Sequence, residues 1–161
     1  MPTMAQEKKF YLTKEGLERL KREFEELKRK KAQKMEKETP MIAAPHGVDS
    51  EYLTFQEDIS FLESRLEELE EILRNYQLIK PPPKHKQNVV QIGATVQVEV
   101  EGQIDEFTIV GPLEANPFLG KISHESPVGK ALLNHKVGDK VKVQSTVTTI
   151  YKIKKITYRN I

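Results

Sequence analysis

Eight residues, Tyr52, Phe55, Ile59, Leu62, Leu66, Leu69, Leu73 and Tyr76, follow one another in unbroken alternating steps of three and four. That spacing is a coiled-coil seam and fits neither strand nor loop. It predicts one helix from Ser50 to about Leu78, a rod of roughly 40 Å at 1.5 Å per residue. A lone amphipathic helix cannot bury its own stripe, so a partner is required, and the nearest is the segment before it. From Thr13 to about Glu38 there is no proline, and the one glycine, Gly16, falls in the first turn. Thr13 suits the N-cap, and Glu15 suits the positive end of the helix dipole. Leu17, Leu20, Phe24 and Leu27 repeat the 3-4-3 spacing. Lys31 and Lys34 then fall where the next apolar residues should be, leaving Ala32 and Met35 as a shifted, weaker stripe. The expectation is an antiparallel coiled-coil helical hairpin over residues 13–79, with its tip at 39–51 and an N-terminal tail over 1–12. A coiled coil swapped between chains is the rival arrangement.

The run "KPPPKHKQ" stops the second helix and opens a stiff, basic linker over residues 80–88. Beyond it the period changes to two. "ATVQVEV" alternates, Gly102 separates it from "QIDEFTIV", and the pair reads as a hairpin; "DKVKVQ" and "TTIYKIKKI" read as further strands. "SPVGKALLN" suits a short helix with Ser126 as N-cap and Pro127 in the first helical position. The fold class is therefore α+β: a helical hairpin, then an antiparallel-sheet domain over 89–161 with one short helix.

Other properties narrow the function. There is no cysteine among 161 residues, which excludes disulfides and thiol chemistry and fits a reducing compartment. "MPTMAQEKKF" has no apolar leader core, and no apolar run approaches the ~18 residues of a membrane span. A cytoplasmic protein with no membrane partner is expected. His46, His85, His124 and His135 are scattered without metal-ligand spacing, and no phosphate-loop, dinucleotide or nucleophile-elbow motif is present. A self-contained catalytic centre is not expected.

Charge is more informative. Between Lys28 and Lys37 six residues are basic and one, Glu36, is acidic, while the second helix is dominated by Glu and Asp. Such runs commonly pair across a hairpin. Alternatively, Lys28, Arg29, Lys30, Lys31 and Lys34 form a patch that faces phosphates. At the tip, Asp49 and Glu51 have two readings as well. One is helix capping; the other is the joint holding of Mg²⁺ with another molecule's active site, since that ion accepts one or two carboxylates and keeps open positions.

Four stretches, "YLTKEGLERLKREFEEL", "SEY…ESRLEELEEIL", "IGATVQVEV" and above all "ISHESPVGKALLNHKVGDKV", resemble the bacterial Gre transcript-cleavage factors from about Tyr11 to Tyr158. The resemblance implies an FKBP-like C-terminal domain that docks at the rim of the RNA polymerase secondary channel while the hairpin enters it. It implies tip acids that help hold the polymerase's Mg²⁺, so that the polymerase hydrolyses the 3′ end of its own backtracked RNA, with the basic patch holding that RNA. The factor itself would need no cofactor and would act as a monomer. Carried onto this sequence, the tip acids become Asp49 and Glu51, the RNA patch Lys28, Arg29, Lys30, Lys31 and Lys34, and the polymerase-facing loop Glu125, Ser126 and Pro127.

The tip departs from the family pattern, approximately G-D-L-x-E-N-A/S-E-Y. Ungapped alignment puts Pro45 at the family's Asp and Val48 at its first Glu, while Glu51 and Tyr52 match. A gapped alignment instead pairs His46-Gly47 with the family's His-Gly and lets Asp49 stand in for one acid; neither keeps the usual pair intact. Three functions follow. The first is a cleavage-stimulating elongation factor using Asp49 and Glu51. The second is a homologue that occupies the channel and modulates or inhibits transcription without cleavage. The third is a prolyl isomerase or chaperone, which needs an aromatic-lined pocket where this half offers Phe107, Phe118, Tyr151 and Tyr158 and no tryptophan.

Overall fold

The structure, a computed structural model, describes residues 9–37 and 50–159. The chain divides into two compact units: Glu18–Asn75, and the residues up to Leu17 together with Tyr76 onward. Strand β1 (Phe10–Leu12) leads into helix α1 (Lys14–Lys37); helix α2 spans Ser50–Arg74. Numbering rises along α1 as it falls along α2 in the pairs Glu23–Arg65, Lys31–Glu63 and Lys34–Asp58, so the helices run antiparallel as a hairpin within one chain. The anticipated seam is the less exposed face of α2, with Leu69 fully buried. Phe61 and Leu53, off the seam, are exposed.

Helix α2 ends four residues before the expected Leu78. After Asn75, whose amide closes on Glu71 and Ile72 carbonyls (3.1 and 3.2 Å), strand β2 (Tyr76–Leu78) pairs in parallel with β1. The ladder satisfies backbone groups that a longer helix would have bonded internally. Tyr76 is accordingly an exposed strand residue and not a seam position, and Phe10–Leu12 is not a tail.

The start of α1 carries a capping arrangement built from two distant parts of the chain. Thr13 Oγ1 accepts the Gly16 amide (3.0 Å), as an N-cap should. In a capping box the third helical residue is a Glu that reaches back to the cap's own N–H. Here that position is glycine, and Glu114 supplies the carboxylate. Its Oε2 accepts the Thr13 amide (2.7 Å) and its Oε1 accepts the Thr13 hydroxyl. A β-carbon on Gly16 would fall under 3.0 Å from that carboxylate, so the glycine makes room for its substitute. Glu114 is 8% exposed, in a 3₁₀ turn over Pro112–Glu114.

The remaining strands are β3 (Thr95–Val100), β4 (Gln103–Val110), β5 (Lys121–Ser123), β6 (Lys140–Gln144) and β7 (Thr148–Thr157), with helix α3 (Pro127–Leu132) between β5 and β6. They form one sheet in the order β5-β4-β3-β7-β6. The β3–β4 turn is the two-residue Glu101–Gly102 with φ of 51° and 79°, the left-handed pair that matches strand twist. All pairings are antiparallel except β4–β5, so the expected antiparallel sheet carries one parallel edge. Val90, Ala94, Val96, Val98, Ile109, Leu132, Val141 and Ile153 pack as its core.

Candidate functional site

Three sets of residues were expected to act, and the structure treats them differently. In the basic stretch, α1 keeps its coiled-coil register through Lys31 and Lys34, so both lysines lie at seam positions and are only partly exposed. A cation there needs a counter-charge. Lys31 Nζ lies 3.2 Å from Glu63 and Lys34 Nζ 3.0 Å from Asp58. Lys28 Nζ stands 5.2 Å from the centroid of the Phe24 ring. Arg29 and Lys30 are exposed. Pairing across the hairpin therefore accounts for two of the five, and the patch is not one continuous surface.

It is divided between two grooves. On one side Lys28 and Lys31 share a groove with Glu63, Glu67 and Glu70. On the other, Lys30, Lys34 and Lys37 line a groove with Gln33, Phe61 and Leu62, where Asp58 is the one acid among the described residues. Among the described residues, the second groove has the positive balance and the first does not. Lys37, Gln33 and Phe61 were not among the anticipated residues. Lys37 continues the basic run, whereas nothing in a seam-based reading draws attention to Phe61.

Of the two tip acids, Glu51 is exposed in the first turn of α2, where a carboxylate also favours the helix dipole. Asp49 lies outside the described residues, as do Pro45, His46 and Val48. Among the described residues no three His, Asp or Glu side chains stand together as a metal site. An exposed carboxylate such as Glu51 is suited to sharing an ion held elsewhere.

The loop leading into α3 is set by one hydroxyl used twice. Ser126 Oγ donates to the Ser123 carbonyl (2.6 Å) and accepts the Gly129 amide (3.1 Å). Pro127 occupies the first helical position, where its missing N–H costs nothing, and stands exposed beside exposed Glu125. Ser126→Ala should destabilise the sheet unit by about 1 kcal/mol, the usual effect of losing an N-cap, measured by urea unfolding. Two histidines have structural settings: His124 packs edge-on against Tyr11 (5.3 Å between centroids), and His135 Nδ1 lies 3.2 Å from Asp139. The Lys136 amide, aided by His135, holds the Asp139 carboxyl below the usual carboxylate range.

Comparison with known proteins gives matches to both halves of the chain. Residues 10–78 match the family model described as transcription elongation factor, N-terminal, and residues 84–158 that of transcription elongation factor, GreA/GreB, C-term. Transcription elongation factor GreA of Thermomicrobium roseum is 38% identical over 142 residues, covering 86% of this chain and 90% of that protein. The GreA of Geobacillus kaustophilus is 42% identical over 147 residues, covering 88% and 92%. Among solved structures, GreA factor homolog 1 (Gfh1) of Thermus thermophilus is 27% identical, with 93% of this chain and 99% of that one covered and a TM-score of 0.42.

Proposed function

The chain belongs to the GreA/GreB family of transcription elongation factors, and from that premise we propose that it enters the secondary channel of a bacterial RNA polymerase and stimulates cleavage of backtracked nascent RNA. The observation that carries this reading is the presence of both family halves in one chain, 10–78 and 84–158. One half supplies a long helical hairpin, the other a sheet unit whose Glu125–Pro127 loop stands open to a partner. The bond-breaking chemistry belongs to the polymerase, and the factor brings no cofactor of its own. When bound, the polymerase's Mg²⁺ supplies charge stabilisation and an activated water. Glu51, with Asp49 two residues before it, adds negative charge and hydrogen-bond acceptors that orient the ion's ligands. Exposed basic residues of α1, Arg29 and Lys30 among them, hold the RNA through its phosphates. A single copy of the chain suffices. A cytoplasmic location follows from the partner; among the described residues no helix is long and apolar enough to cross a membrane.

The test is a transcript-shortening assay on backtracked polymerase complexes with and without the factor, alongside a measurement of polymerase binding. Faster RNA shortening is expected. Binding with shortening at the factor-free rate would instead establish a channel occupant that modulates transcription without cleavage, the reading that Pro45 and Val48 at the usual acid positions favour. For docking, Pro127→Asp should weaken polymerase binding about tenfold with an unchanged circular-dichroism spectrum and melting temperature. Unaltered affinity would move the docking surface away from this loop.

A further inference from the structure

Phe61 is 73% exposed on α2, immediately beside the seam residue Leu62. A single exposed phenylalanine is ordinary on a protein surface; what sets this one apart is its surroundings. It shares a groove with Lys30, Lys34, Lys37 and Gln33 of α1, and the one acid there among the described residues, Asp58, is engaged by Lys34 at 3.0 Å. The groove thus combines an open aromatic face with a surplus of positive charge. The groove on the other side of the hairpin sets Lys28 and Lys31 against Glu63, Glu67 and Glu70, a balance that repels polyanions.

We propose that the Phe61 groove binds single-stranded RNA, with the Phe61 ring stacked on one unpaired base and Lys30 and Lys37 on the flanking phosphates. An aromatic face serves only a base that is free of its neighbours, as in a single strand, whereas a duplex keeps its base faces covered. A nucleotide brings a π-face and a negative charge together, matching both features of the groove. An apolar protein surface would meet the ring but bury the ammonium groups without counter-charge. Because every base offers a π-face, binding should tolerate any sequence. The inference rests on the elongation-factor reading above and adds to it which side of the hairpin carries the RNA and which side chain reads its unstacked end.

The full chain is titrated, at low salt, against a labelled ten-nucleotide oligouridine and a duplex of the same length, with fluorescence anisotropy as readout. Phe61→Ala should weaken single-strand binding by about 5- to 150-fold. Phe61→Leu, equally apolar but without a ring, should lose binding as alanine does, while Phe61→Trp keeps or strengthens it. Lys37→Gln should reduce the dependence of log affinity on log salt by about 0.7. Unchanged melting temperatures are expected, since the replaced ring is largely in solvent.

The proposal is overturned if the wild type binds no single strand, if Phe61→Leu binds like wild type, or if the duplex binds as tightly. It is equally overturned if Phe61→Leu dissolves a dimer seen by sedimentation, which would assign the groove to a second copy. Transcript shortening by the wild type scores the parent reading separately. Shortening with Phe61-independent RNA binding sinks only this inference; no shortening with Phe61-dependent binding sinks only the parent reading.

Discussion

Glu51→Gln lowers factor-stimulated transcript shortening by about 10- to 100-fold, the range for outer groups that orient a metal's ligands, and leaves polymerase affinity where it was. The amide preserves the size of the side chain and removes its charge. Glu51 is exposed in the first turn of α2, where its charge favours the helix dipole by about 0.3–1 kcal/mol, and no buried packing rests on it. Binding and chemistry therefore separate in this variant. The measurement is single-turnover cleavage in backtracked complexes saturated with factor, so that occupancy cannot account for a slower rate. Asp49→Asn, run in parallel, apportions the effect between the two acids. If the doubly substituted protein cleaves at the wild-type rate, the tip contributes no charge to the reaction and the basis for assigning these residues disappears.

Gly129→Ala is expected to destabilise the sheet unit by about 3 kcal/mol, at the upper end for overpacking. A β-carbon at this position would come under 3.0 Å from the Ser123 carbonyl oxygen. That oxygen already accepts the Ser126 amide (3.0 Å) and the Ser126 hydroxyl (2.6 Å), so it is pinned and cannot withdraw. The obstacle is backbone, which yields far less readily than the end of a flexible side chain. A urea titration should show the midpoint falling without a change of slope. Gly102→Ala is the informative comparison: nothing lies within 4 Å of a β-carbon there, and only the φ of 79° resists, worth about 1–2 kcal/mol. Equal effects at the two positions would mean that crowding at Ser123 is not what restricts residue 129.

The hairpin was legible because its signal is long. Seven seam residues in one helix, Tyr52 to Leu73, leave no competing period, and four in the other set the register. What failed was short or non-local. Tyr76 fits the seam by spacing, yet its backbone bonds to a strand 66 positions earlier (Phe10↔Tyr76), and a three-residue parallel ladder leaves no mark in either segment. Strand β5, "KIS", is equally short and lies between turns. The start of α3 was readable because Ser126, Pro127 and Gly129 act within four residues of one another.

The candidate site was half visible. Lysines at seam positions break the apolar pattern, and sequence alone cannot tell a lysine that faces a ligand from one that faces Glu63 or Asp58 across the hairpin. Those partners lie 32 and 24 residues away, Lys31 to Glu63 and Lys34 to Asp58, at separations fixed only once the two helices align. Phe61 is inconspicuous for the opposite reason. It falls outside the seam repeat, and its neighbours Lys30 and Lys37 belong to the other helix.

The carboxylate that completes the cap of Thr13 comes from Glu114, 101 positions later in the chain. During synthesis the ribosome therefore produces all of α1 well before the group that closes its first turn. A protein truncated near residue 79 would keep both long helices and still lack that group. Expression of such a truncated product should yield a frayed N-terminal helix end, and cutting the gene between the two matched halves would split a single physical joint.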